Sequence, residues 1–219
     1  MDIGFMKEYL PMYVEAAILT LRLGITGIIF SLVIGFGCAL AGYYKIPIAR
    51  QVAGAYIELS RNTPLLVQLF FLYFGLPKLG IMLSSERCAV IGLSFLGGSY
   101  MAEAFRSGLE AVDKSQVESA LAIGLMHPQA MRYVVFPQAL AVSVPALCAN
   151  VIFLIKETSV FSVVALADLM YVAKDLIGLY YQTDEALLML VIAYLILLLP
   201  ISFAAGWLER RLRYAGFGN

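Results

Sequence analysis

The sequence predicts an all-α membrane protein, a bundle of five spans with an amphipathic helix-turn-helix between the third and fourth. Three observations carry this. The 219 residues are 62% hydrophobic and only 14% charged, against about 45–50% and about 25% in average soluble domains. Three runs of 22 or 23 residues contain no charge, and about 20 apolar residues at 1.5 Å rise each cross a bilayer core. One connection is much longer than a small bundle needs and has a helical period of its own. Fifteen basic and fifteen acidic residues leave no formal net charge, which argues against a nucleic-acid binder built on a basic surface.

The elements follow in chain order. Met1 to Leu10 carries Asp2, Lys7 and Glu8 and lacks the basic start and small-residue cleavage pattern of a signal peptide. Glu15 and Arg22 are seven residues apart, hence on one helical face; either an interfacial helix starts here or Arg22 snorkels. The first span, about 16–44, contains the uncharged run Leu23 to Tyr44. The second, about 53–77, rests on the uncharged residues Asn62 to Pro77 and must also take in Glu58 and Arg61. The third, about 88–108, adds Glu103 and Arg106 to the run Cys88 to Ala102. The fourth, about 138–165, and the fifth, about 186–208, draw on Tyr133 to Ile155 and Ala186 to Leu208. The whole of 1–219 reads as one transmembrane domain. Cys38, Cys88 and Cys148 are far apart and His127 is the single histidine, so spacing assembles no metal site. The cysteines read as buried small hydrophobes.

An odd number of spans puts the termini on opposite sides, and the Lys/Arg bias sets which. The segments 45–55, 106–132 and the C-terminal tail hold Lys45, Arg50, Arg106, Lys114, Arg132, Arg210, Arg211 and Arg213. The opposite segments hold Lys7, Lys78, Arg87 and Lys174. This places the C-terminus in the cytoplasm and the N-terminus outside. The long connection, about 115–137, is therefore cytoplasmic. Val117, Ala120, Leu121 and Gly124 form an i, i+3, i+4, i+7 stripe. Gly124 permits a sharp helix end. Pro128 suits the first turn of a second helix, with His127 as its cap, and Pro137 closes it. On periodicity alone this hairpin is a docking surface or a re-entrant structural element.

Motifs narrow the choice. Glu118-Ser119-Ala120, then Gly124, then Pro137 resembles the Glu-Ala-Ala…Gly…Pro loop of ATP-binding-cassette importer permeases. Arg61-Asn62-Thr63-Pro64-Leu65-Leu66-Val67-Gln68 resembles the Arg-Gly-Thr-Pro-x-x-x-Gln segment of their polar amino-acid subfamily, the histidine, glutamine, arginine and cystine type. Gly98-Ser99-Tyr100-Met101-Ala102-Glu103 is similar to its Gly-Ala-Tyr-x-Ala-Glu. Pro137-Gln138-Ala139 and Lys156-Glu157-Thr158-Ser159 match its Pro-Gln-Ala and Lys-Asp/Glu-Thr-Ser. Asn62 stands for a glycine, Ser119 and Ser99 for alanines, and Leu140 and Ala141 follow where the subfamily has an arginine.

The resemblance implies a permease subunit of a bacterial inner-membrane importer, working by alternating access. Glu118, Ser119, Ala120, Gly124 and Pro137 would couple it to separate ATPase subunits, which bind the ATP and Mg. Arg61, Asn62, Thr63, Gln68, Glu103, Glu157, Thr158 and Ser159 would line the substrate pathway. A second permease, identical or a sister chain, and an external solute-binding protein complete the assembly, with an amino acid as substrate. The chain itself would bind no cofactor; its sequence has no GxxxxGK[ST], GxSxG or HExxH. A self-sufficient carrier or channel is the alternative, and it leaves the long hairpin unexplained.

Charges inside spans cost about 2.5–3.5 kcal/mol mid-helix on insertion scales and turn toward bundle interiors. Glu58 and Arg61 are spaced to pair at i, i+3, and Glu103, Arg106 and Glu110 to self-neutralise. Lys156 and Glu157 point about 100° apart, so one of them faces water, substrate or another subunit.

Overall fold

The computed structural model describes residues 1–216, with side chains through Leu212. Arg213, one of the basic residues that set the expected orientation, lies outside the residues whose side chains are described. The described residues are almost all helical. Among the described residues, four helices are long and apolar enough to cross a membrane: Ile3–Tyr43, Ser85–Glu110, His127–Val164 and Thr183–Leu212. A shorter apolar helical stretch covers Leu65–Leu79.

Helix α1 (Ile3–Tyr43) is one helix of 41 residues, about 60 Å long. The helix therefore begins well before residue 16, where the first span is expected to start, and residues 3–15 are continuous with it rather than a separate helix. The reason is tertiary. Tyr13 and Ala16 are buried against Leu169, Val172, Leu176 and Ala186, and the Tyr13 hydroxyl donates to the Ala186 carbonyl at 2.7 Å. Asp2 caps the helix by accepting from the Phe5 amide. Arg22 pairs with Glu86 at 2.5 Å; both are exposed, so the pair contributes at most about 1 kcal/mol.

The expected second span, 53–77, is not one helix. Helix α2 (Pro47–Arg61) stops, and α3 (Leu65–Phe70) begins after Asn62-Thr63-Pro64. Pro64 lacks an N–H and biases Thr63 away from helical geometry. A π turn (Phe71–Gly75) and a 3-10 turn (Leu76–Leu79) continue α3.

Helix α4 (Ser85–Glu110) is the centre of the bundle and packs along α1 and then α7. The α1–α4 approach requires Gly35: a Cβ there would stand 2.5 Å from the Met101 Cβ and 2.7 Å from the Ala102 nitrogen. Small residues at such crossings let backbones come close. The main core joins Leu23, Leu65, Leu69, Leu93, Met101, Leu154 and Phe161.

Helix α5 (Lys114–Ala122) and the single-turn α6 (His127–Ala130) lie in the segment where the hairpin is expected. Pro137 does not close its second arm. From His127 the chain runs through a π turn (Met131–Val135) into α7 (Phe136–Glu157) without a break. The π turn absorbs the missing donor of Pro137: the Phe136 amide reaches back to the Met131 carbonyl, and the Gln138 side chain donates to the Val134 carbonyl at 3.0 Å. Nor does His127 cap α6. Met126 is the cap position, and Gln129 Oε1 accepts from its amide at 2.8 Å.

A 3-10 turn (Thr158–Val164) follows α7, and Ala165 in the left-handed region ends it. Helix α8 (Leu169–Tyr180), not anticipated from the sequence, is capped by Asp168. Helix α9 (Thr183–Gly216) contains residues 186–208, where the fifth span is expected, and runs beyond them at both ends. Cys88 is buried, while Cys38 and Cys148 are half-buried.

Candidate functional site

The break between α2 and α3 is held open by side chains. Unwinding at Asn62 strands the last carbonyls of α2. The Asn62 amide donates to the Glu58 carbonyl at 2.7 Å, the Thr63 hydroxyl to the Leu59 carbonyl at 2.8 Å, and Gln68 Nε2 to the carbonyls of Thr63 and Ser60 at 3.0 and 3.3 Å. The Tyr56 and Ser60 hydroxyls both donate to the Phe95 carbonyl, at 2.6 and 2.8 Å, which pins α2 to α4. The Asn-Thr-Pro-x-x-x-Gln spacing is thus a recipe for a stable helix interruption.

Beside that interruption lies a cavity of about 390 Å³ lined by Arg61, Asn62, Thr63 and Pro64 of the break, Tyr100 of α4, and Phe153 and Glu157 of α7. Arg61 stacks over the Tyr100 ring at 5.3 Å and lies 3.7 Å from Glu103. It does not pair with Glu58, whose carboxylate accepts from Asn62 instead. Glu103 takes two hydrogen bonds from Arg106, at 3.1 and 2.7 Å, and Arg106 also reaches Glu110 at 2.7 Å. The expected Glu103–Arg106–Glu110 series therefore forms, and Arg61 extends it to the cavity. Asn150 on α7 donates to the Tyr100 carbonyl at 3.1 Å and sets the far wall.

Glu157 closes α7 and faces the cavity half-buried. Among the described residues it has no hydrogen bond or ion pair, and Lys156 beside it is exposed. So the cavity is lined by one guanidinium and one carboxylate, from different helices, that make no ion pair with each other. The other residues expected along the pathway lie elsewhere. Gln68 is nearly buried against the helix break. Thr158 is fully buried and donates to the Ile155 carbonyl at 2.6 Å. Ser159 is half-buried and off the cavity wall. Glu103 lines a neighbouring cavity of about 420 Å³ together with Lys45, Arg50 and Arg106. Tyr100 and Phe153, absent from the sequence-derived set, complete the first cavity; the signal was Tyr100 standing one helical turn before Glu103.

The α5–α6 hairpin is the second candidate surface. Asp113 caps α5 by accepting from the Ser115 amide at 2.8 Å, and that bond holds its carboxyl below the usual aspartate range. Val117 packs against the cluster of Leu109 and Val135, and Ala120 is buried. Gly124 sits at φ +92°. Its amide donates to Leu121 and that of Leu125 to Ala120, the paired bonds of a left-handed helix stop. Glu118, Ser119, Gly124 and Pro137 are exposed and Ala120 is buried. Ile123 and Met126 stand out at 79% and 64% exposure.

Residues 31–214 match the family described as the binding-protein-dependent transport system inner membrane component. The probable amino-acid ABC transporter permease protein PatM of Vibrio harveyi is 34% identical over 98% of this chain and 97% of its own length. The glutamine transport system permease protein GlnP of Escherichia coli K12 is 34% identical over 93% and 94%. A solved structure described as an amino acid ABC transporter with histidines superposes with a TM-score of 0.88 at 34% identity, covering 96% of this chain and 99% of that one. The chain belongs to the binding-protein-dependent transport system inner membrane components, the permease subunits of ATP-binding-cassette importers.

Proposed function

We propose that this permease carries a polar amino acid and that the cavity at the α2–α3 break is part of its path. The observation that carries this reading is that one cavity is lined by both Arg61 and Glu157, with no ion pair between them. An amino acid offers a carboxylate to the first and an ammonium to the second. Tyr100 and Phe153 add apolar lining. Relatives named as amino-acid or glutamine permeases support the substrate class.

In this reading 1–219 acts as one permease domain with five spans, the second made of α2 and α3 around the break. The C-terminus and the α5–α6 hairpin are cytoplasmic and the N-terminus is external, in a bacterial inner membrane. Glu118, Ser119, Ala120 and Gly124 shape the hairpin that meets a separate ATPase, which holds the ATP and Mg. Exposed Ile123 and Met126 add apolar contact area there. Family membership implies ATPase partners and a second permease, identical or a sister chain, and an external solute-binding protein hands over the substrate.

The unbroken run from His127 to Glu157 gives the coupling a physical route. The hairpin and the cavity carboxylate stand at opposite ends of one helical lever, and Pro137 sits within it. Closure of the ATPase pair displaces the hairpin end, and α7 carries the tilt to the cavity.

The test is reconstitution in vesicles with the ATPase and binding protein of the same system. Uptake should require ATP and both partners. ATP-independent uptake by the chain alone would establish the carrier reading instead.

A further inference from the structure

Two cavities adjoin along α2 and α4. The first lies beside the helix break. The second, about 420 Å³, lies among α1, α2 and α4. On each helix a single turn divides their linings. On α2, Glu58 lines the second cavity and Arg61 the first; on α4, Tyr100 lines the first and Glu103 the second. The Arg61–Glu103 contact of 3.7 Å therefore joins a residue of one cavity to a residue of the other. Beyond it the second cavity follows α4 to Glu110, about 15 Å past Tyr100 and close to the start of the hairpin. A third cavity, about 480 Å³, shares Lys45, Arg50 and Gly54 with the second and continues to the start of α2. Lys45 and Arg50 are among the basic residues that mark the cytoplasmic side.

The side chains at the division are held unequally. Arg106 grips Glu103 with bonds of 3.1 and 2.7 Å, so Glu103 stays on α4. Arg61 has only the longer contact to Glu103 and the face of Tyr100, 5.3 Å away. Its guanidinium is the partner free to move. A substrate carboxylate entering the first cavity offers it a bidentate pair in place of one long contact. The second cavity repeats the chemistry of the first. Arg106 is occupied by Glu103 and Glu110, whereas Lys45, Arg50 and Glu58 make no ion pair among the described residues. Both signs are therefore present for the two ends of an amino acid. Arg50, Gly54, Glu58 and Arg61 follow one another on one face of α2, and a Cβ on Gly54 would meet open space.

We propose that the cavity among α1, α2 and α4 is the cytoplasmic exit of the amino-acid path, and that the Arg61–Glu103 ion pair is the partition across it, opened when the substrate carboxylate takes the guanidinium from Glu103. The proposal rests on the reading of the first cavity as part of the path. Past the partition, Lys45 and Arg50 receive the carboxylate and Glu58 the ammonium, and the amino acid leaves along the polar face of α2.

The measurement is cysteine labelling by a membrane-impermeant thiol reagent, applied to the cytoplasmic face of the assembled transporter in inside-out vesicles without nucleotide. Cys38 lines the second cavity and should label readily in the native chain; a Cys38 that resists the reagent overturns the exit. Phe153→Cys, with the three native cysteines replaced by alanine, reports the first cavity and should label slowly. Leu66→Cys lines the same cavity and serves should the Phe153 variant fail to assemble. Glu103→Gln and Arg61→Gln should each speed labelling of the first cavity about tenfold, and the double variant by no more than either, because the pair acts as a unit. Rates unchanged in the single variants, or effects that multiply in the double one, overturn the partition. This cycle needs no substrate, so its failure leaves the first cavity on the path. Separately, a mixture of the twenty common amino acids, with binding protein in the lumen, should slow labelling of Phe153→Cys. If it does not, the first cavity is off the path, and both readings fall.

Discussion

Arg61 has two carboxylates within reach, Glu58 one turn earlier on its own helix and Glu103 on α4, and it turns to the second. The helix break explains the choice. Asn62 occupies the Glu58 side of the turn with its own amide, while Tyr100 presents a ring face that guides the guanidinium toward α4. Glu157 has no such competitor. Glu157→Gln keeps shape and removes charge, so it should lower uptake about tenfold, the equivalent of one lost charge-assisted contact of about 1.4 kcal/mol. The amount of assembled complex should not change, and Glu157→Asp should be milder. Radiolabelled uptake with a titration of substrate-stimulated ATP hydrolysis checks it; unchanged affinity, rate and selectivity would leave Glu157 structural. Gln68 should behave oppositely. Gln68→Leu strips the donors from the Ser60 and Thr63 carbonyls, each worth about 1–3 kcal/mol when left unmet in a buried place. It should lower the melting temperature of the complex, while transport per assembled complex stays comparable below that temperature.

Among the elements, the turn after α5 was legible in sequence and the break between α2 and α3 was not. Stripe spacing and a glycine at its end state where α5 begins and stops, and the chain obeys them at Ala120 and Gly124. Nothing occupies the space a Cβ on Gly124 would take. The demand there is on the backbone, since φ +92° costs an L-residue about 1–2 kcal/mol and a β-branched one more. Gly124→Val should therefore leave membrane insertion intact, weaken co-purification with the ATPase and uncouple ATP hydrolysis from uptake. Normal assembly and uptake in this variant would remove the docking role from the hairpin. In the second span, hydropathy saw only uncharged length from Asn62 to Pro77. The interruption depends on which carbonyls Asn62, Thr63 and Gln68 reach, and that is a matter of side-chain geometry. Helix α8 escaped for another reason: its twelve residues are too few to span, and its buried face is matched by α1 and α9, which lie far away in sequence.

At the scale of the molecule, two cores divide the work. One joins α1, α3, α4 and α7 around the cavity; the other clamps the first half of α1 to α8 and α9. Helix α1 belongs to both because it is long enough to leave one and enter the other. Nothing in either core is a phosphate-binding loop, and the sequence contains no lysine directly after a glycine. The purified chain alone should therefore show no saturable ATP binding and no hydrolysis, by equilibrium dialysis and phosphate release. Saturable binding would contradict its role as the transport subunit.

The sequence by itself determined the class of solvent, the helical content, the uncharged spans and the hairpin with its glycine stop. Each of these follows from local composition or from a period along one helix. It also contained the Asn-Thr-Pro-x-x-x-Gln and Lys-Glu-Thr-Ser motifs without stating what their members touch. Tertiary structure decided that Thr158 and Gln68 turn inward while Arg61 and Glu157 share a cavity. It decided that Arg61 meets Glu103, that Pro137 continues a helix through a π turn, and that α1 begins at Ile3. The physical reason is common to these: each depends on partners tens of residues away or on which competing acceptor lies nearer, and no periodicity along the chain encodes that distance.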